Sequence, residues 1–238
     1  MATYVLVHGG GHGGWCYQPV ARLLRAKGHE VHAPSLTGLG DREHLLTAAV
    51  DLNTHITDVL NVMHFEDLRD VILVGHSYGG MVITGVADRA TDRVGHLVWL
   101  DSAMPLNDQS LVDVAGPVIN AARTMGGFVN GIELVLFPER TPPEFYGVTD
   151  KAQIEWMKAR LTPHPWRCFE QKLRLNNERA MRRIPQSIIA CSQNLGAYDK
   201  SVLEKLTEGR FWHMETGHDL MITEPDWTAD KLMRIAKA

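Results

Sequence analysis

Ser77 stands in Gly75-His76-Ser77-Tyr78-Gly79, with the apolar run Val71-Ile72-Leu73-Val74 before it and the helical period Val82, Ile83, Val86, Ala87, Ala90 after it. A serine between such a strand and such a helix occupies a sharp turn, and the flanking glycines remove Cβ atoms that would collide there. Its hydroxyl is then presented at the carboxyl end of the strand as a nucleophile for acyl transfer. The hydroxyl is weak until a base takes its proton and N–H donors meet the developing oxyanion. Of the twelve histidines, His218 in Glu215-Thr216-Gly217-His218-Asp219 is the expected base. It lies in a loop after the strand-like run Phe211-Trp212-His213-Met214 and follows the serine in chain order. His76, beside the serine, should point away from it, and His32, His55 and His96 fall inside elements and read as structural. The oxyanion donors are expected to be the backbone N–H of Tyr78 and one N–H from His8-Gly9-Gly10-Gly11-His12-Gly13-Gly14, at Gly10. Five glycines in seven residues are costly to order, so this run reads as a loop built for close approach of substrate to main chain. His8 and His12 are four apart in that loop rather than on a helix, which argues against a zinc pair. No metal and no cofactor is expected.

The elements that must position these groups alternate. Tyr4-Val5-Leu6-Val7 reads as a strand and Val20, Leu23, Leu24 as a helical stripe, with a second strand from Glu30 to Leu36. Residues 37–50 read as an irregular loop, and Ile56, Val59, Leu60 and Met63 mark the helix that feeds the serine strand. Val94 to Asp101 is a further buried strand. This alternation predicts an α/β fold with a mainly parallel sheet of about six strands, flanked by helices on both faces. From residue 105 to 184 the pattern breaks into helical stretches at 112–125, 150–161 and 166–177 with frequent prolines and no core strand. The expected organisation is therefore an α/β core over 1–104 and 185–238, with residues 105–184 inserted as a helical lid.

At 238 residues and 45% hydrophobic content, the chain can bury one large core. The net charge of −4 and scattered basic residues give no footprint for nucleic acid. There is no apolar run of about 18 residues and no signal-like start, so neither a membrane nor export is expected. The three cysteines form no C-x-x-C pair, which fits reduced thiols in a cytoplasmic protein. The expected partner is a small-molecule ester, and a homodimer is compatible with the sequence.

Taken together, His8-Gly9-Gly10-Gly11-His12-Gly13-Gly14-Trp15, Ala33-Pro34-Ser35-Leu36-Thr37-Gly38, Gly75-His76-Ser77-Tyr78-Gly79-Gly80 and Gly217-His218-Asp219-Leu220-Met221 resemble the α/β-hydrolase fold over nearly the whole chain. Within it they resemble the plant methylesterase and hydroxynitrile lyase group and its bacterial esterase relatives. The resemblance implies that the first strand lies between the second and third, with a ligand crevice between the glycine loop and Ser77. The lyase members carry threonine at the position of Gly9 and lysine at that of Asp219, so these two residues argue against cyanohydrin cleavage. The group's usual acid position, after the strand at 187–191, holds Asn194, and an amide cannot stabilise the imidazolium as a carboxylate does. Three alternatives follow: Asp101 at the end of the neighbouring strand, a site some hydrolases of the fold use; Asp199, which also reads as a helix cap; or no acid at all. The first is the expectation. The activity implied is a cofactor-free serine esterase acting on a small to medium carboxylic ester, with Trp15, Met104, Phe128 and Leu220 as candidates for an apolar pocket. A hydrolase-fold receptor with little turnover and a cofactor-free perhydrolase are the alternatives, whereas dehalogenase and epoxide-hydrolase chemistry would need a carboxylate in place of Ser77.

Overall fold

The structure, a computed structural model, describes residues 1–197 and 199–237. In chain order it begins β1 (Thr3–Val7), α1 (Gln18–Ala26), β2 (Glu30–His32), α2 (Leu52–Phe65), β3 (Val71–His76), α3 (Gly79–Arg89) and β4 (Val94–Leu100). An insertion follows, with α4 (Leu111–Thr124), β5 (Gly127–Val129), β6 (Ile132–Val135), α5 (Lys151–Lys158), β7 (His164–Pro165), α6 (Arg167–Glu170) and α7 (Glu178–Met181). The chain returns through β8 (Gln186–Cys191), α8 (Lys200–Leu206), β9 (Phe211–Met214), α9 (Leu220–Thr223) and α10 (Pro225–Ile235).

Six strands pair in parallel in the order β2-β1-β3-β4-β8-β9. Helices cover both faces, so β3 and β8 are buried at every position. This is why β3 opens on the continuous apolar run Val71–Val74 rather than an alternating one, while the buried polar start of β8 is hydrogen-bonded, Gln186 Oε1 accepting from Trp99 Nε1–H at 2.9 Å. Each buried Val, Leu or Ile contributes about 1.5–3 kcal/mol relative to exposure. The chain reverses its direction of travel across the sheet between β1 and β3, the switch point beside which open α/β sheets place a ligand crevice. α2, the helix that delivers the chain to β3, starts where Asp51 accepts the Thr54 N–H at 2.9 Å, a reciprocal cap.

The insertion adds no strand to the central sheet, but it is not purely helical, since β5, β6 and β7 form a small antiparallel sheet. The helix expected over 166–177 is corrected to a single turn, Arg167–Glu170. Beyond it, the Leu173 N–H donates to the Gln109 carbonyl, and the Asn176 and Asn177 N–H groups donate to the buried carboxylate of Asp88 at 2.9 and 2.7 Å. Those partners lie outside the segment and compete with helix propagation. α4 is kinked, with Ala115 at φ −127° just before Pro117, which lacks the N–H a straight helix needs. Among the described residues no helix is long and apolar enough to cross a membrane.

The turn after β3 packs main chain on main chain. A Cβ added at Gly80 would stand 1.9 Å from the Ala103 carbonyl oxygen, and the Ala103 N–H donates to the Ser77 carbonyl at 3.1 Å. Gly80→Ala should therefore destabilise the protein by about 2–4 kcal/mol, because backbone rather than a mobile side chain must yield. Thermal denaturation checks this, and a Tm within about a degree of wild type would refute it.

Candidate active site

Ser77 has φ +53°, in the left-handed region that a non-glycine residue occupies at a cost of about 1–3 kcal/mol. Packing enforces the conformation. The Gly80 and Ala103 N–H groups both donate to the Ser77 carbonyl at 3.1 Å. A Cβ at Gly79 would lie 2.6 Å from the Val7 carbonyl, and one at Gly9 would lie 2.8 Å from Ser77 Cβ. The glycine loop after β1 thus rests directly against the serine.

Asp101 follows the last residue of β4, also at positive φ (+44°), and its N–H donates to the Ile189 carbonyl at 2.7 Å. This turn aims the carboxylate at His218, whose Nδ1–H donates to Asp101 Oδ2 at 2.5 Å. The Cys191 N–H donates to Oδ1 at 3.0 Å, and the Cys191 thiol to Oδ2 at 3.2 Å. Asn194 Nδ2 donates to Oδ2 at 2.6 Å while lying 3.3 Å from His218 Nδ1. A carboxylate only accepts, so Asn194 must present its NH2, and three donors, from His218, Cys191 and Asn194, converge on Oδ2. Asn194 therefore stands beside the Asp101 carboxylate and does not displace it from His218. Asp199 accepts from the Ser201 N–H and Oγ at 2.9 and 2.8 Å as the cap of α8, and is exposed.

Burial alone would depress the basicity of His218, but the hydrogen bond and charge of Asp101, with the charge of Asp219, outweigh it and raise the imidazole above its ordinary value. Burial likewise opposes ionisation of Asp101, and the donors on His218 and Cys191 hold its carboxyl below the usual carboxylate range. The two directions agree: the Asp101 anion favours the His218 cation.

The insertion and His76 carry the base. The His218 N–H donates to the Tyr146 carbonyl at 2.8 Å and the Tyr146 ring stacks on the imidazole, while His76 Nε2–H donates to the His218 carbonyl at 3.1 Å. His76 is structural, as expected, but it reaches the base rather than turning away from the site. Among the described residues the N–H groups of Gly10 and Tyr78 have no acceptor, as oxyanion donors require. Phe137 and Phe169 lie over Gly10, with Cζ atoms 3.8 and 3.1 Å from where its Cβ would be.

The pocket expectations need correction. Phe128 is 74% exposed on the small hairpin, because β5 has no layer packed over that face. Leu220 is fully buried in the core under α9, Met104 is half-buried, and Trp15 stacks on His12 and meets Trp156 edge-on. Trp15 thus lies against the glycine loop, where Phe137, Tyr146 and Phe169 also pack against the loop and His218. The last three were missed because they come from the insertion, whose packing no periodicity reports; the aromatic clustering at 137–146 was the available signal. His55, His164 and Cys168 bring ligand atoms within 4.8 Å of one another. The set suits a metal poorly. His55 Nε2–H donates to the Thr37 carbonyl and its Nδ1 accepts from the Tyr78 hydroxyl, both at 2.9 Å. His164 Nδ1 accepts the Gly11 N–H, and burial pushes the Cys168 thiol far up.

The family model for the alpha/beta hydrolase family matches residues 4–231. The chain belongs to that family. A carbendazim-hydrolysing esterase of Nocardioides sp. (strain SG-4G) is 38% identical, with 98% of each chain aligned. Among solved structures, an extracellular α/β-hydrolase from a Paenibacillus species superposes with TM-score 0.79 at 24% identity over 98% of both chains. A methylesterase from Arabidopsis does so with TM-score 0.72 at 23% identity, covering 100% of this chain and 99% of that one.

Two outcomes follow from this geometry. Asp101→Asn should lower kcat for ester hydrolysis by about 10²–10⁴ and Asp199→Asn by no more than a few-fold. Moving the carboxylate, with Asp101→Asn and Asn194→Asp together, should recover much of the loss, because Asn194 already reaches His218 Nδ1. A swap no better than Asp101→Asn alone would refute this. Separately, a base must be neutral, so kcat/KM should fall on acidification through the raised value of His218, above the ordinary 6.5. Asp101→Asn should move that limb to lower pH, which a pH profile measures.

Proposed function

We propose that the protein is a serine ester hydrolase working through an acyl-enzyme, with Ser77 as nucleophile, His218 as base and Asp101 as the acid that orients it. The observation that carries this reading is the 2.5 Å pairing of His218 with Asp101 at the edge where a strained Ser77 meets a glycine loop. Ser77 Oγ attacks the ester carbonyl and passes its proton to His218 Nε2, and Asp101 stabilises the imidazolium. The Gly10 and Tyr78 N–H groups hold the oxyanion. Collapse expels the alcohol, which takes the proton from Nε2. Water, deprotonated by the same nitrogen, then hydrolyses the acyl-enzyme and releases the acid.

Residues 105–184 serve in this reading as the lid that excludes water, with Phe137, Tyr146 and Phe169 as its apolar underside. The substrate is a small to medium ester with an apolar acyl part, and the full-length relative makes carbendazim a compound to test. Asn194 hydrogen-bonded to Asp101 removes the reason for preferring a receptor, since the acid is supplied from β4. Three buried cysteines, with no disulfide among the described residues, support a reducing compartment such as the cytoplasm.

The test is a panel of nitrophenyl esters, methyl esters of aromatic acids and carbendazim with wild type and Ser77→Ala. Wild-type turnover should fall about 10⁴-fold or more in Ser77→Ala, and intact-mass analysis of a quenched reaction should find the acyl group on Ser77. Turnover that survives the substitution would remove the assignment.

A further inference from the structure

Glycines 9 to 11 have no side chains with which to hold themselves, yet their peptide groups must be aimed. His8 Nδ1–H donates to the Gly9 carbonyl at 2.9 Å, and His8 Nε2 accepts the Leu36 N–H at 3.0 Å, which fixes its tautomer. Burial holds this imidazole neutral, down at about 3. His12 Nδ1–H donates to the Gly10 carbonyl at 2.8 Å. The Gly11 N–H donates to His164 Nδ1 at 3.2 Å, and the Thr162 N–H donates to the Gly11 carbonyl at 2.9 Å. In a trans peptide the carbonyl and N–H point in opposite directions. Drawing the Gly9 carbonyl toward His8 therefore turns the Gly10 N–H the other way, and drawing in the Gly10 carbonyl fixes the far side of the same residue. Donation to a peptide carbonyl also polarises its N–H, which strengthens the donor.

His12 has a second partner. Its Nε2 lies 3.3 Å from Asp219 Oδ2, at ion-pair distance though not in hydrogen-bond alignment. One ring nitrogen thus faces a carbonyl and the other a carboxylate, neither of which can donate. Asp219 is completely buried, and neither of its oxygens has an aligned donor among the described residues. The other groups facing the pair are His76, whose Nε2 is 3.5 Å from Asp219 Oδ1, Trp15 stacked on the His12 ring, and Tyr146. Burial opposes ionisation of Asp219, but His12 first, then His76 and His218, hold its carboxyl below the usual carboxylate range.

We propose that Asp219, acting through His12, is a positioning residue for the oxyanion loop, so that the segment carrying the base also fixes the peptide that receives the oxyanion. The proposal rests on the catalytic reading above. Asp219 follows His218 directly, and a shift of that segment moves base and oxyanion donor together.

The test is a double-mutant cycle on the intact enzyme with Asp219→Asn and His12→Asn, plus His12→Phe. Removing an oxyanion donor costs about 10²–10³ in kcat, and a donor merely released from its anchor should cost about 10–10². Asp219→Asn, which keeps shape and loses charge, should lower kcat by that amount with KM nearly unchanged. The inhibition constant of a trifluoromethyl ketone, which adds to Ser77 as an oxyanion, should rise in proportion. His12→Asn, which keeps an N–H near the Nδ1 position, should recover much of the loss seen in His12→Phe. The double variant Asp219→Asn with His12→Asn should be no worse than His12→Asn alone. Additive losses, or wild-type kcat in folded Asp219→Asn, would overturn the proposal and leave the catalytic reading standing. Wild-type turnover that does not depend on Ser77 would overturn both.

Discussion

A glycine run at the carboxyl end of a parallel strand can approach a substrate closely, but it has nothing of its own with which to satisfy or orient its peptide groups. Buried backbone polar groups need partners. Here three imidazoles supply them from outside: His8 and His12 take the carbonyls of Gly9 and Gly10, and His164 takes the N–H of Gly11. Histidine suits the task because its flat ring fits between layers and can donate at one nitrogen while accepting at the other. Small size in the loop and an unusual density of buried histidines around it are two sides of one requirement.

The same requirement gives the insertion a role beyond covering the sheet. Thr162 and His164 hold the glycine loop, and Tyr146 holds the base through its carbonyl and its ring. Gly147 and Gly217 pack backbone to backbone, with a Cβ at Gly217 only 2.7 Å from the Tyr146 carbonyl. An element that carries the base cannot move far without disturbing it.

The sheet and the serine turn were legible in the sequence because each has a local cause: apolar strands, a helical stripe, glycines where backbones touch. The place of β1 between β2 and β3 came from the family resemblance, and the choice of His218 rested on chain order. The insertion was not legible, since short helices and a small sheet held by Asp88, Gln109 and other distant partners leave no periodic trace. Phe128 was misplaced for the same reason, an aromatic residue being as ready for a hairpin surface as for a pocket. Asp219 was read only for what it lacked, the lysine of the lyase group, whereas its contact with His12 spans the whole chain and no spacing rule could report it.

In the proposed triad, the position of the acid follows from strand adjacency rather than from any loop sequence. β4 and β8 are neighbours in register, with Leu100 opposite Ile189, so the residue after β4 and the loop after β8 reach the same volume above the sheet. The imidazole needs one anionic acceptor at Nδ1 and tolerates only one, because two carboxylates there would repel and one would protonate. Once Asp101 fills that place, the position from the β8 loop is best occupied by a donor. Asn194 supplies one at 2.6 Å, and the Cys191 N–H supplies another. In the proposed triad, the amide that looked like a missing acid in the sequence stands as a donor to a carboxylate one strand away.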